Sequence, residues 1–569
     1  MFKGMLTIIA TISVLMASSC AEQKSISADT VFINGVIYTA DNEQSVVSTL
    51  AIKDDILVYV GDLDTAEQFI GVQTQTIDLK GKMIIPGLHD VHIHLAGIVE
   101  TDTCDLASQS FTLEALVPRL KKCINRLQLP LGDWLTVEQW AFSGGNEPSV
   151  KLPTIRKALD AVSTKHPIVL LGNDGHHGAV NSHALNLAAD STGNVVGLNQ
   201  ETLNKEFATF KELVGVDSSG DPNGMINEDA RKLVNVPNLW GYPDIDLALY
   251  QKIGQRLAAS GITSTMEASL KEHDIDLFAK WAKQSPLTHR MTVAFFADFE
   301  DYRPSPDKPI SIERLISEFT AIQRRHKDVE NLKIDTAKIF VDGVTEGNPH
   351  ANPPALPNAA SLTDYLQPQF KVDANTQALE VIGYVDTESA ACVELRHQAD
   401  ANLPTMSAKD FYAEQGFSPL QCRKFNGVYE REEIFIRDYT LALYDAGINV
   451  HSHAIGDRAV RLALDSFTEA KKQSPKSKAK VSMAHAQIMH PDDISRIADL
   501  NVYMAFTYSW IEPFVEYQMM VSPFIDPIMS KNDLFDPAGY VYQNSYPAGS
   551  VLEAGGVLVA GSDAPVEAR

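Results

Sequence analysis

The 569-residue chain is short of cysteine, of positive charge and of long apolar runs. Five cysteines in this length do not make a disulfide scaffold, and none has the Cys-x-x-Cys spacing of a thiolate zinc site. Lysine and arginine number 48 against 73 aspartates and glutamates, a formal net charge of −25. Such a surface repels phosphate backbones, which argues against nucleic acid as a partner. Apart from one N-terminal stretch no apolar run approaches membrane length, so a polytopic membrane protein is excluded. No internal repeat is visible, which removes solenoids. What is present is the balance of a folded chain, 44% hydrophobic and 21% charged. The length gives a soft prior of about four domain-sized units.

The N-terminus reads as an address. In Met1 to Cys20, MFKGMLTIIATISVLMASSC, Lys3 precedes an apolar run from Met5 to Met16, and small residues then lead to Cys20. The run is too short to span a bilayer comfortably and fits the apolar region of a signal peptide. Its end resembles a bacterial lipoprotein signal in which Cys20 becomes the acylated N-terminus, although Ala17 stands where such signals usually carry Leu. An ordinary cleaved signal is the alternative. Ala21 in place of Asp after the cysteine points to the outer membrane. The expectation is an exported protein that meets a membrane only through this lipid anchor. Cys104, Cys123, Cys392 and Cys422 then lie in an oxidising compartment, where Cys104–Cys123 and Cys392–Cys422 could each close a loop. Spacing alone fixes no pairing.

From about Thr30 to Gly87, segments such as VFINGVIYTAD and LAIKDDILVYVG alternate apolar and polar residues between Gly and Asp, which predicts a small sheet. After Pro86 the texture changes to apolar strands alternating with helical stretches. LTVEQW, HPIVLLGND, GITSTMEAS, HRMTVAFFA, DTAKIFVDG, GINVHSHA, AKVSMAHA, NVYMAFTY and GGVLVAGSD are the candidate strands. Strand–helix alternation repeated about eight times predicts an α/β fold, a TIM-type (β/α)8 barrel over residues 88–569. From about Asn348 to Gly427 the chain is rich in Pro, Asn, Asp and Ala. That stretch predicts an insertion over the barrel mouth or a mobile lid.

The chemistry concentrates at strand ends. In PGLHDVHIH, His92 and His94 stand at i and i+2, so on a strand both imidazoles point to one face. At the C-terminal mouth of a barrel that face is the catalytic pocket, and imidazole is a good ligand for zinc, iron and nickel. His89 reads as structural or as a support behind the ligands. INVHSHAIGD repeats the i, i+2 spacing at His451 and His453; VSMAHAQIMHP places His485 at the end of an apolar strand and His490 on the turn after it; VLVAGSDAPVE places Asp563 likewise. Chance histidines fall more often on solvated helices, so this constellation reads as a metal pocket.

The order His-x-His, HAIGD, HAQ, GSDAPVE resembles the amidohydrolase superfamily, in particular its YtcJ-like, amidohydrolase-3 branch. DGHHGAVNSHAL at Asp174 to Leu185, GDPNGMINEDA at Gly220 to Ala230 and KIFVDG at Lys338 to Gly343 are further matches. The resemblance implies a (β/α)8 barrel flanked by a small β-sandwich, and hydrolysis of a C–N bond of a small molecule, an amide other than a peptide, by a metal-activated hydroxide. By position it implies that His92 and His94 bind the more buried metal and that His453 and His485 bind the other. Lys338 matches a lysine that is carboxylated in many members and bridges two ions, zinc being the expected metal. Asp563 matches the aspartate that binds metal and takes the proton of the attacking water. Asp174, His176 and Asn181 match substrate-contacting positions. His451 reads as packing beside the ligands, and Glu267 as a possible substitute carboxylate ligand, with a site of one ion also open.

The residues leave alternatives. Lys338 could instead be a charged lysine paired with Asp342; Asp174, His176 and Asn181 could cap the next helix; Asp563 could be a helix N-cap. A metal-dependent esterase or lactonase, or a lipid-anchored binding protein without catalysis, would use the same barrel. Family members continue past the position of Arg569 through strands that complete the sandwich. The sequence therefore reads as partial at its C-terminus, with the 30–87 sheet expected to expose an apolar face. A homo-oligomer is left open.

Overall fold

The protein is described here by a computed structural model over residues 27–99, 103–142, 145–236, 245–305, 308–372, 379–401, 406–512 and 514–566. The expected signal at Met1–Cys20 lies outside them. Contacts divide the chain into two units, residues 1–87 and 88–569.

In the first unit, Ile56–Gly61, Thr49–Lys53, Thr30–Ile33 and Gln75–Asp78 pair in that order into one sheet. Val46–Val47, Val36–Tyr38 and Met83–Ile84 form a second. The expected alternation is visible in burial. Val31 and Ala51 are enclosed in one small core and Ile37, Leu50 and Leu79 in another, while Ile56, Leu57 and Met83 stay exposed.

The second unit is built on a parallel eight-stranded sheet whose spatial order follows the chain: β1 (Leu88–Ile93), β2 (Ile262–Leu270), β3 (Arg290–Phe295), β4 (Leu332–Phe340), β5 (Asn449–Ala454), β6 (Val481–His485), β7 (Val502–Phe506) and β8 (Val557–Ala560). Helices α1 (Leu247–Ala259), α2 (Glu272–Ala282), α3 (Ile312–His326), α4 (Glu433–Asp445), α5 (Asp457–Gln473), α6 (Pro491–Asp499) and α7 (Ala548–Glu553) lie between successive strands. Each is amphipathic for a local reason. In α1 the Asp246 carboxylate caps the Leu249 N–H at 2.7 Å, and Leu249, Tyr250, Ile253 and Leu257 recur every three or four residues as the buried face. In α5 the buried positions Ala459, Val460, Ala463, Leu464, Phe467 and Ala470 follow the same period. The ring is closed by main chain: the Asp563 N–H donates to the His92 carbonyl at 2.7 Å and the His94 N–H to the Ala564 carbonyl at 2.9 Å.

Two expected barrel strands belong elsewhere. Leu135–Trp140 and Ile168–Gly172 sit in a separate six-stranded sheet with Cys104–Asp105, Gly178–Val180, Pro222–Ile226 and Val214–Val216. The local pattern of an apolar strand does not say which sheet it joins. Ile168–Gly172 is followed by a turn and an antiparallel partner, Gly178–Val180, where a barrel strand would be followed by a crossover helix. The Cys104–Cys123 disulfide ties the edge of this sheet to the helix Leu113–Leu127.

The stretch expected as an insertion has secondary structure of its own among its described residues. It holds the hairpin Pro368–Val372 with Leu379–Tyr384, the helices Ala390–Asp400 and Ala408–Gln415, the Cys392–Cys422 disulfide, and a small core of Val385, Cys392, Phe411 and Cys422.

His289, just before β3, is buried, and among the described residues neither ring nitrogen has a hydrogen-bond partner. Burial pushes its pKa down to about 4. The unfolded chain takes up this proton near pH 6.5, so the contribution to stability is full above pH 6.5 and is lost as pH falls toward 4. The loss is on the order of 3 kcal/mol. The difference in denaturation midpoint between His289→Leu and wild type should therefore grow in the variant's favour as pH falls from neutral toward 4. A constant difference across that range would count against the buried neutral imidazole.

Candidate metal centre

Alternation along β1 carries His92 and, one step past the strand end, His94 to the C-terminal side of the barrel. Lys338 comes from β4, His453 from β5, His485 from the last position of β6, and Asp563 from the turn after β8. These six side chains line one cavity of about 540 Å3. His92, Lys338, His453, His485 and Asp563 are buried. The His94 side chain keeps 22% of its surface exposed and borders the opening.

Asp563 Oδ1 lies 3.2 Å from both His92 Nε2 and His94 Nε2. Lys338 Nζ is 3.4 Å from His92 Nε2 and 4.6 Å from the centre of the Phe340 ring. His92, His485 and Asp563 offer ligand atoms within 4.8 Å of one another. The ring nitrogens are apportioned by their neighbours. His92 Nδ1 is 2.7 Å from His451 Nε2, and His451 Nδ1 is 2.7 Å from the Ser482 hydroxyl. That hydroxyl can donate to the Val450 carbonyl at 3.3 Å, which lets the chain of bonds run one way and leaves His92 Nε2 as a bare lone pair facing the cavity. His453 Nε2 donates to the Gly343 carbonyl at 3.2 Å, freeing Nδ1. His485 Nδ1 bonds the Thr507 hydroxyl at 3.1 Å, and its ring stacks on Trp510 at 4.9 Å. His485, at φ +69, and Asp563, at φ +53, both adopt left-handed backbone, a strained conformation of the kind that collects at functional sites.

The electrostatics asks for a cation. Burial drives His92, His453 and His485 well below the ordinary imidazole range, with the Lys338 charge adding to the effect. Burial opposes a charge on His94 too, but Asp563 and Glu267 lift it to about 9. Burial alone brings Lys338 down to about 7, against the pull of Asp563 and Glu267. Asp563 is held below its usual range despite burial, by His94 and His485. Among the described residues Asp563 Oδ1 accepts no directed hydrogen bond although it is fully enclosed. A buried carboxylate among the neutral imidazoles of His92, His453 and His485 fits a divalent ion with nitrogen and oxygen ligands, zinc among them.

Several alternatives are decided. Asp342 accepts the Ala360, Ile455 and Gly456 N–H groups at 2.8–2.9 Å and makes no pair with Lys338. His451 backs His92, as its place beside the ligands suggested, while His89 is exposed and His490 caps α6 by accepting the Asp492 N–H at 3.2 Å. Glu267 borders the same cavity, taking the Leu95 N–H at 2.5 Å with one oxygen and placing the other 3.6 Å from His94 Nδ1.

Asp174 and His176 also line the cavity. Asp174 accepts the His176 and His177 N–H groups and is paired with the His177 ring. Burial raises its pKa, and the two imidazoles more than reverse this. His176 Nδ1 is held by Glu228 at 2.9 Å; burial disfavours its charge, yet Glu228 lifts it to about 9. Asn181 is a correction. It is fully buried outside the cavity, where Oδ1 caps the Ala184 N–H and takes the Ile168 N–H while Nδ2 donates to the Ser163 and His166 carbonyls. A side chain spent on four main-chain bonds has nothing left for a substrate. None of the described residues of the insertion is in the lining of this cavity. Trp510, after β7, and Phe340, the last residue of β4, were missed because a single aromatic at a strand end carries no spacing signal. Glu228 was missed as a partner although it lies within GDPNGMINEDA.

The profile of the Amidohydrolase family matches residues 75–569. The exoenzymes regulatory protein AepA of Pectobacterium carotovorum subsp. carotovorum is 24% identical over 497 residues, covering 85% of this chain and 86% of that one. The N-substituted formamide deformylase of Arthrobacter pascens is 26% identical over 273 residues, 46% of each chain. Among solved structures, an uncharacterized metal-dependent hydrolase from Pyrococcus horikoshii OT3 superposes with a TM-score of 0.52 at 17% identity, covering 95% of this chain and 83% of that one, a likeness of fold.

Proposed function

The chain belongs to the amidohydrolase family, and from that premise we propose that it is a metal-dependent hydrolase that opens a non-peptide amide in a small molecule. The observation that carries this reading is the buried Asp563 oxygen 3.2 Å from two imidazole nitrogens, with His453 and His485 in the same cavity. His92, His94, His453, His485 and Asp563 would hold one or two divalent ions, zinc first. With two ions, a carboxylated Lys338 would supply the bridging oxygens, and a lysine brought to about 7 by burial is neutral often enough to react with carbon dioxide. A bound ion supplies Lewis acidity and a lowered pKa for water.

The chain does the rest. Asp563 takes a proton from the attacking water and returns it to the nitrogen as the C–N bond breaks, so that an acid and an amine leave. His176, kept protonated by Glu228, has Nε2 without a partner among the described residues and can donate it to the substrate's oxygen. Likeness to the formamide deformylase supports a C–N substrate. Likeness to a regulatory protein supports a second reading, a binding barrel without turnover, against which the complete donor set weighs.

Metal content and turnover of N-formyl and N-acyl amines decide between them. Purified protein should carry one to two equivalents of divalent ion, and chelation should abolish turnover. His94→Ala should lose metal and activity together. Full turnover by metal-free protein would overturn the proposal.

A further inference from the structure

A second cavity, of about 850 Å3, meets the metal pocket at Asn173, Asp174 and Val566. Its wall combines aromatic rings, Phe111, Phe142, Trp510, Phe514 and Tyr517, with carboxylates. Glu147 and Glu346 lie within, Glu512 and Glu516 at the exposed rim. No lysine, arginine or histidine is in the described lining.

We infer that the substrate carries a protonated amine on an aromatic or similarly apolar body, seated in this acidic side cavity while its amide reaches the metal pocket. The inference rests on the hydrolase reading above. Its basis is an unmet demand for positive charge. Glu346 Oε1 accepts the Tyr517 hydroxyl at 2.5 Å, and Tyr517 is itself bonded by Gln487 at 2.8 Å. Among the described residues Glu346 Oε2 and Glu147 Oε2 are buried with no hydrogen-bond partner. Burial pushes the Glu346 pKa up even against its bond from Tyr517; an ammonium would meet that oxygen with both a donor and a charge and hold the carboxylate ionised. The neighbouring imidazoles do not: His177 is committed to Asp174, and burial holds His350 below its usual range although Glu147 pulls it up. Aromatic faces add cation–π attraction and a surface for a flat body. Trp510 joins the two spaces, because the ring that lines the side cavity stacks on the ligand His485. A substrate bearing a free carboxylate would face four glutamates and be rejected by repulsion.

The test compares kcat/KM at pH 7.5 for three matched formamides: N-benzylformamide, its 4-aminomethyl derivative and its 4-carboxy derivative. The aminomethyl compound should lead the neutral one by about 10- to 100-fold, the range for a hydrogen bond to a charged group, and the carboxy compound should come last. Glu346→Gln, and separately Glu147→Gln, should pull the cation-to-neutral ratio toward one, with folding checked by circular dichroism. An active enzyme indifferent to charge, or a ratio unmoved by both variants, would overturn the inference and leave the hydrolase reading standing. Should none of the three be hydrolysed by metal-loaded protein, the hydrolase reading is what fails. Calorimetric titration with benzylamine against benzyl alcohol then decides the cavity: tighter amine binding lost in Glu346→Gln supports it, and equal binding overturns it.

Discussion

Asp563→Asn should keep the fold yet lower kcat by on the order of 10²–10⁴, the usual scale for a general acid–base. Asn tolerates the left-handed backbone at φ +53, keeps the N–H that closes the barrel on the His92 carbonyl, and retains one oxygen facing His92 and His94. It cannot accept the water's proton. Metal must be measured on the same sample, because the lost charge also weakens the hold on an ion. The competing role, a helix cap, finds no support: the Asp563 carboxylate points to the imidazoles, and only its main-chain oxygen takes the Val566 N–H. A near-wild-type rate with metal bound would leave the pocket without its base.

Asp342→Ala should cost on the order of 3–5 kcal/mol of stability. The carboxylate is fully buried just past β4 and gathers three main-chain donors, Ala360, Ile455 and Gly456. Removing it strands three buried N–H groups at once, each worth about 1–3 kcal/mol. Two of the donors, Ile455 and Gly456, stand two and three residues after His453 in the HAIGD segment, so the variant should also bind metal more weakly. Denaturant midpoints read the first effect and metal titration the second. A midpoint unchanged from wild type would show that these amides find other partners.

What could be read in advance follows physical lines. His92 and His94 were legible because strand geometry forces i and i+2 to one face, and Asp563 because an apolar run ending in Gly-Ser-Asp predicts a charged group at a strand mouth. The eight-fold alternation was legible, but two of its strands went to the wrong sheet, since an apolar pentapeptide such as Ile168–Gly172 reports burial and says nothing of its partner. Asn181 misled for a related reason. A motif position tells which residue is present, whereas its four main-chain bonds depend on Ser163, His166, Ile168 and Ala184 converging on it. Trp510, Glu147 and Glu346 reach their cavities through tertiary placement that no local pattern encodes.

The main-chain bond between His92 and Asp563 bears on the order of events in biosynthesis. The first barrel strand emerges from the ribosome long before the eighth, carrying two imidazoles that cannot yet meet their carboxylate. The pocket comes into being only when β8 docks, a late, long-range step of the kind that slows folding. A nascent or half-threaded chain therefore holds no ion in a working arrangement and cleaves nothing. Ring closure and catalytic competence become one event, timed by the arrival of the last strand.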